Sequence, residues 1–244
     1  LTYDQSARMA GYRGRRLGNQ SRRNLPPRQL PPVDIGPKVR TTEDILLTLS
    51  SRERGDLNHS IPLCKSLHLP DIDVPINPYV LGIWLGDGST NAAQITTSDA
   101  AIVQSIEDAG YPVRKLRAKY LYGIGNLQTI LRNNGLLGNK HVPAAYMRAS
   151  AEQRLALLQG LMDSDGCVSG SSVEFTSTLL VLASAVMELA RSLGQKPTLS
   201  EGRATLYGKD CGPKYRVYWR PTIQVFRLAR KVRAVRSLGL QASR

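Results

Sequence analysis

Cysteine is scarce in this chain, and its placement excludes one class of protein. The 244 residues include three cysteines, Cys64, Cys167 and Cys211, which are far apart and odd in number. This spacing suits neither a disulfide framework nor a zinc site. We therefore expect a protein of a reducing compartment, in the cytoplasm or associated with the nucleoid.

Acidic residues and long apolar runs are also lacking. The 19 Asp and Glu residues stand against 33 Lys and Arg, for a formal net charge of +14. This excess predicts a polyanionic partner such as nucleic acid, although ribosome or membrane-surface binding would fit the charge alone. The stretch from Leu179 to Ala190 contains Glu188 and is too short to cross a bilayer, so no membrane partner is expected.

One short pattern occurs twice, as VLGIWLGDG at 80–88 and as LQGLMDSDG at 158–166. Each copy is typical of an apolar helix that ends in Asp-Gly. A cap at Asn77 with Pro78 predicts the start of the first helix, and a capping box from Ser150 to Gln153 predicts the start of the second. We expect Gly88 and Gly166 to end the helices in the left-handed conformation.

Small residues recur four apart in each copy, Gly82 with Gly86 and Gly160 with Ser164, and therefore line one face of each helix. Two such faces can pack with their backbones close together. If the helices run parallel, Asp87 and Asp165 meet at their ends. Carboxylates about 5 Å apart would repel by roughly 3 kcal/mol, so the pattern predicts a hard divalent cation there.

These residues resemble the paired LAGLIDADG motifs of homing endonucleases. PYVLGIWLGDG at 78–88 is similar to the first motif of endonuclease domains embedded in inteins, especially helicase-type inteins, and Asn139 to Pro143 resembles the lysine-containing block of that family. The resemblance covers about residues 55–235. It implies a monomeric, site-specific endonuclease that makes double-strand breaks in DNA with Mg²⁺, for which Mn²⁺ can substitute.

The resemblance also implies the site residues. Asp87 and Asp165 would bind the metal, with the preceding residues Gly86 and Ser164 as further metal contacts. Lys140 would position or polarise the attacking water, unless it is a solvated loop lysine. For its counterpart in the second half we predict Lys214, with Lys209 as the alternative. Asp163, which stands where the first motif has Leu85, is interpreted as lying beside the site or on the helix-end surface.

The segments after each motif repeat in the same order, which predicts an α+β fold of two pseudo-twofold αββαββα halves joined at the motif helices. Each half would carry a twisted antiparallel sheet, with a turn at 208–213 in the second. The exposed positions of these sheets are rich in basic and aromatic residues, a composition that favours DNA over an ordinary solvated face. The predicted DNA-binding residues are Gln94, Arg114, Arg117, Lys119, Tyr120, Tyr122, Arg203, Tyr207, Arg216, Tyr218 and Arg220.

The domain organisation predicted from composition and motifs has five parts. They are a basic flexible arm at 1–40, a linker at 41–75 that resembles the connection to an intein splicing domain, the two motif halves at 76–149 and 150–237, and a tail at 238–244. The ends, Leu1 and Arg244, match neither splice junction, so we expect an endonuclease part excised from an intein or a free-standing relative. The alternative is a DNA-binding protein or RNA maturase of the same fold that does not cleave DNA.

Overall fold

The computed structural model describes residues 3–4, 39–50, 59–60, 63–170 and 172–237. The chain divides into two compact units, residues 1–63 and 64–244. In the first unit, strands β1 (Tyr3–Asp4) and β2 (His59–Ser60) pair antiparallel, and helix α1 (Thr42–Leu47) begins at a Thr41 capping box. The predicted arm at 1–40 and tail at 238–244 lie almost entirely outside the described residues.

The second unit contains both motifs and is built as two halves whose elements follow a similar order, except that the first half lacks the strand directly after its motif helix and has one more short helix at its end. The first half comprises α2 (Pro78–Asp87), β3 (Gln94–Thr96), α3 (Ala100–Asp108), β4 (Val113–Lys115), β5 (Leu121–Ile124), α4 (Leu127–Asn133) and α5 (Ala144–Met147). The second comprises α6 (Ala151–Asp165), β6 (Gly166–Ser169), β7 (Ser172–Ser177), α7 (Leu180–Ser192), β8 (Thr198–Leu206), β9 (Lys209–Trp219) and α8 (Ala229–Ser237). The predicted α+β class with antiparallel sheets is confirmed.

The two sheets differ in size. The first has three strands in the order β3-β5-β4, and the second has four in the order β6-β7-β9-β8, with every pair antiparallel. In the first half, the strand expected after the motif helix is reduced to one bridge between Gly88 and Ile95. The predicted turn at 208–213 is wrong, because β9 already begins at Lys209 and the reversal occurs at Tyr207, with φ 50°, and Gly208.

The motif helices α2 and α6 form the centre of the second unit. All residues from Tyr79 to Leu85 are buried, so α2 is enclosed on every side. A Cβ added at Gly160 would lie 2.3 Å from the Tyr79 carbonyl oxygen, and one added at Gly82 would lie 2.5 Å from the Leu157 carbonyl oxygen. Gly82 adjoins Gly160 and Gly86 adjoins Ser164, so the helices run parallel with their backbones in contact.

The helix starts agree with the sequence, whereas the predicted helix ends are wrong. Asn77 Oδ1 accepts the Tyr79 and Val80 N–H groups, and Ser150 forms its capping box. Gly88 and Gly166 are extended, with φ of −80° and −85°, rather than left-handed. Glycine is required there for space, because a Cβ at Gly88 would lie 2.2 Å from the Trp84 carbonyl oxygen.

Residues 64–75 differ from the predicted linker, because they are bonded to the second half. The buried guanidinium of Arg154 donates to the carbonyl oxygens of Leu67, Ala149 and Ser192. The Leu67 N–H also donates to Ser192 O, at 2.9 Å. The compact unit therefore includes this segment. No helix among the described residues is long and apolar enough to span a bilayer.

Candidate active site

The two motif acids come together because each is the last residue of a motif helix. Asp87 ends α2 and Asp165 ends α6. Asp165 Oδ2 lies 3.2 Å from the point that a Cβ on Gly86 would occupy. Burial, followed by the negative charge of Asp165, raises the pKa of Asp87 to about 6. Burial likewise raises the pKa of Asp165. The site therefore holds two partly desolvated, mutually repelling carboxylates.

Lys140 lies at the end of the first motif helix. Its Nζ donates to the carbonyl oxygens of Leu85 at 3.0 Å, Gly86 at 3.2 Å and Gly88 at 2.6 Å. The last carbonyls of a helix lack intrahelical partners and carry partial negative charge, so an ammonium group is stabilised there. Lys140 is thus a built part of the site rather than a solvated loop lysine.

Lys231, in helix α8, occupies the equivalent position at the end of the second motif helix. Its Nζ donates to the carbonyl oxygens of Met162 at 2.9 Å, Asp163 at 2.7 Å and Gly166 at 2.6 Å. Asp163 and Gly166 correspond in the motif to Leu85 and Gly88, so the two lysines share two equivalent acceptors. Lys231 was not among the site residues predicted from the sequence, because nothing around it resembles the block at 139–143.

The predicted second-half lysines lie elsewhere. Lys214 is on β9 opposite Gly202, and Lys209 is exposed at the start of the same strand. The prediction that Lys214 is the counterpart of Lys140 is therefore wrong in position. The pseudo-symmetric lysine is not on the strands of the second sheet but on the helix that follows them.

Both lysines act as fixed positive charges in this structure. An ammonium group has three N–H donors, and each lysine donates to three carbonyl oxygens, so no donor is left over. Burial lowers the pKa of Lys140 and of Lys231, while the site carboxylates oppose that effect. The lysines bond to backbone rather than to Asp87 and Asp165, so the carboxylate oxygens remain available as ligands.

The donor set fits a magnesium-like ion. Within the described ranges no cluster of three or more His, Cys, Asp or Glu side chains could hold a metal. Two carboxylates suffice for Mg²⁺, which commonly takes its other ligands from water and substrate phosphate. The predicted contacts at Gly86 and Ser164 are partly occupied, since the Gly86 carbonyl accepts from Lys140 and the Ser164 hydroxyl donates to Gly160 and Leu161.

The first sheet separates its predicted DNA-binding residues. Gln94 and Arg114 lie on either side of Gly123 and share its face. Tyr122 stands opposite the buried Ile95 and packs against the core, so its predicted place on the DNA face is wrong. The remaining three, Arg117, Lys119 and Tyr120, lie between β4 and β5 and are exposed.

The second sheet presents Arg216 and Tyr218 on the face opposite the buried Val217 and Trp219. Arg216 pairs with Glu174 of β7, with a separation of 2.9 Å. The long β8–β9 hairpin carries Arg203, which pairs with Asp210, and the fully exposed Tyr207. Arg220 is exposed just after β9.

Asp163 also lies in an environment different from the one predicted from the sequence. The interpretation of this acid as helix-end surface is wrong, because its exposed fraction is 1%. Its carboxylate accepts hydrogen bonds from the Tyr79 hydroxyl at 2.9 Å and from the Arg227 and Leu228 N–H groups.

Comparison with known proteins agrees with the motif pattern. Residues 152–231 match the family model described as the LAGLIDADG-like domain. The replicative DNA helicase DnaB of Mycobacterium intracellulare is 40% identical over 196 residues, which cover 79% of this chain and 32% of the helicase. The chain thus spans about a third of the length of this relative.

Solved structures of the homing endonuclease I-DmoI are also similar to the chain. A set of mesophilic I-DmoI variants and the I-DmoI complex with DNA and Ca each match with a TM-score of 0.44 and 14% identity. Each match covers 67% of this chain and 97% of I-DmoI. The match of residues 152–231 to the LAGLIDADG-like domain confirms the resemblance predicted from the motifs.

Proposed function

We propose that the protein is a site-specific homing endonuclease that makes double-strand breaks by metal-dependent phosphodiester hydrolysis at a long recognition site. The observation that carries the proposal is the convergence of Asp87 and Asp165, with Lys140 and Lys231 in equivalent cradles beside them. A reaction on two DNA strands needs two sets of groups. The two halves of this chain supply one acid and one lysine each.

Asp87 and Asp165 would hold Mg²⁺, with Mn²⁺ able to substitute. Carboxylate oxygens are the ligands that hard divalent cations prefer. When bound, such an ion makes an attacking water more acidic and offsets the charge that develops on the leaving oxygen. The burial that raises the pKa of both acids also makes an uncompensated pair of carboxylates costly, which favours occupation by a cation.

Lys140 and Lys231 would contribute fixed positive charge close to the phosphate. Their N–H groups are already directed to backbone carbonyls, so neither has to reorganise when negative charge develops. Preorganised charge of this kind stabilises a transition state more effectively than mobile solvent does. The role is electrostatic, and it leaves activation of the water to the metal site.

Gln94, Arg114, Arg216, Tyr218 and the hairpin at 198–219 would contact the DNA. Antiparallel strands fit the major groove, where Arg and Gln read base edges. The net charge of +14 supports a polyanionic partner. Because one chain supplies both halves, we propose that it acts as a monomer, in the cytoplasm or at the nucleoid.

The helicase match supports a more particular setting. We propose that the chain is the endonuclease part of an intein carried by a DnaB-type replicative helicase, next to a splicing domain. The support is 40% identity to a protein of which this chain spans about a third.

The test is cleavage of a randomised DNA library by the purified protein in the presence of Mg²⁺. The proposal predicts double-strand products that come from one related set of sites and disappear on chelation of the metal. The double variant Asp87→Asn with Asp165→Asn is the matched control. DNA that is bound but never cut would overturn the proposal and favour a binding protein of the same fold.

A further inference from the structure

Helix α6 carries two nearly buried polar side chains for which the proposed chemistry has no use. Gln159 and Asp163 are four residues apart and so lie on one face of the helix. Their exposed fractions are 9% and 1%. The equivalent positions of α2 are Leu81 and Leu85, both buried. One motif helix therefore uses polar contacts where the other uses apolar packing.

The two side chains hold the segment that leads into helix α8. Gln159 Nε2 donates to Gln224 O at 2.8 Å, and Gln159 Oε1 accepts from Arg227 Nε at 2.7 Å. Asp163 accepts the Arg227 N–H at 3.0 Å and the Leu228 N–H at 3.3 Å. We call this set of contacts, from Gln159 and Asp163 to residues 224–228, the polar clamp.

The polar clamp also reaches the first motif helix. The Tyr79 hydroxyl donates to Asp163 Oδ2 at 2.9 Å. The Arg227 guanidinium lies over the Tyr79 ring, 4.2 Å from its centroid. The carboxylate of Asp163 thus accepts bonds from two separate parts of the chain. A buried carboxylate with several donors is held rigidly, because each lost bond would leave it without compensation.

The polar clamp fixes the position of Lys231 relative to the end of helix α6. Helix α8 begins at Ala229, directly after the two N–H groups that Asp163 accepts. The Lys231 N–H then donates to Leu228 O at 2.9 Å, and its side chain returns to the end of α6. A shift of residues 227–228 would therefore move the Lys231 ammonium away from its carbonyls.

Lys140 is placed by other means. It follows Gly138, which has φ 73° and whose N–H donates to Thr90 O at 2.9 Å. Its position depends on this loop and on the helix-end carbonyl oxygens, and not on the side chains of residues 81 and 85 of helix α2, which are apolar. The two lysines should therefore respond differently to changes in the polar clamp.

We propose that Asp163 and Gln159 are positioning residues that hold Lys231 in place, so that they control cleavage of one DNA strand and not of the other. The proposal rests on the proposed function. Asp163→Asn keeps the shape of the side chain, but its amide nitrogen cannot accept the bonds that one carboxylate oxygen now accepts. Lys231 should then lose its fixed position while Lys140 keeps it.

The experiment measures nicking of each strand separately, on a target DNA labelled at either end. Asp163→Asn should slow one strand by at least about 10-fold, the size of effect typical of residues that orient active-site groups, and leave the other within about twofold. Lys231→Met should slow the same strand. In the Lys231→Met background, Asp163→Asn should have little further effect, because the two changes act through one group.

Arg230→Gln is the matched control, since Arg230 precedes Lys231 on the same helix but pairs with Asp99 at the surface. It should leave the ratio of the two strand rates unchanged. Equal slowing of both strands by Asp163→Asn would overturn the proposal and indicate a general loss of stability. So would additive effects of Asp163→Asn and Lys231→Met.

Amide hydrogen exchange gives a second readout that needs neither metal nor DNA. Asp163→Asn should raise exchange at 227–233, while exchange at 138–141 stays as in the parent protein. Unchanged exchange at 227–233 would overturn the inference even if the protein cleaves DNA. A parent protein that cleaves no DNA would instead overturn the proposed function, and the exchange result would still decide whether the polar clamp holds this segment.

Discussion

The two halves of the second unit place the same groups by different routes. Lys140 comes from a loop and Lys231 from a helix, yet both donate to the carbonyls at the end of a motif helix. The sheets differ as well, with three short strands in the first half and a hairpin of 9- and 11-residue strands in the second. The constant feature is the helix end, whose unpaired carbonyls accept an ammonium group from any element that reaches them.

The second unit has a symmetric part, shared equally by its two halves, and an asymmetric part that differs between them. The two halves contribute nearly the same groups to the contact between α2 and α6, which we call the helix seam, and to the acid pair. Each of these groups has its equivalent in the other half as its partner. The residues that hold each lysine and the strands of each sheet do not pack against their equivalents in the other half. These parts of the two halves can therefore differ in structure. Changes at the seam should therefore affect both halves, and changes beyond it only one.

The largest expected effect is the loss of cleavage on replacing a motif acid. Asp87→Asn or Asp165→Asn should each reduce double-strand cleavage by more than about 100-fold, beyond the usual cost of losing a supporting residue, because each would remove one of the two proposed metal ligands. Binding of target DNA should stay within a few fold, as measured by gel shift. Loss of binding together with cleavage would show that the acids are structural helix ends.

Crowding of the helix seam should have the next largest effect. Gly82→Ala and Gly160→Ala each place a methyl group against backbone atoms at 2.5 Å or less. Overpacking typically costs about 1–3 kcal/mol, and we expect at least the upper value, or a fall in Tm of roughly 6–12 °C. Gly202→Ala is the control, since a Cβ there meets no atom within 4 Å. Similar Tm values for Gly160→Ala and Gly202→Ala would contradict a close-packed seam.

DNA affinity should distinguish the arginines of the two sheets. Arg114→Ala should weaken binding by about 1–3 kcal/mol if its guanidinium reads a base. Arg203→Ala should change affinity by less than about twofold, because Asp210 already offsets its charge. Titration of labelled target DNA measures both. Equal losses for the two variants would show that the pair with Asp210 opens on binding.

The smallest effect concerns stability against pH in the absence of metal. Because the pKa of Asp87 is raised to about 6, its protonation favours the folded state. This contribution is full below about pH 4, the ordinary pKa range of Asp, and is lost as the pH rises through 6. Asp87→Asn should lack this loss of stability with rising pH. Its Tm at pH 7 should therefore be about 2–4 °C above that of the parent protein, near 1 kcal/mol after allowance for solvent screening.

The stability of the two proteins should be equal near pH 4.5. Near that pH the parent carboxyl is largely protonated, so the Tm values of the parent and Asp87→Asn should converge. Scanning calorimetry with a chelator present measures both. A constant difference across the pH range would show that burial and the charge of Asp165 do not raise the pKa of Asp87.

Much of the fold could be read from local pattern. The caps at Asn77 and Ser150 and the small-residue faces depend on neighbours in sequence, and the structure agrees with each. The repeated order of strands agrees only in part, because the first half lacks the strand after its motif helix. Tyr122 and the ends at Gly88 and Gly166 could not be read in this way. The face of a short strand depends on its register with β3 and β4, and the glycine conformations depend on the space beside Trp84 and Met162.

The acid pair was predictable from the sequence, because two motif helices with small-residue faces bring their terminal acids together when they pack closely and run parallel. The lysine of the second half, and the residues that hold it, became identifiable only from the folded chain. Lys231 lies outside the motif that contains Gln159 and Asp163, and the hydrogen bonds of these three side chains join residues 64–84 positions apart in the chain. Such contacts follow from the path of the whole chain, which no local pattern encodes.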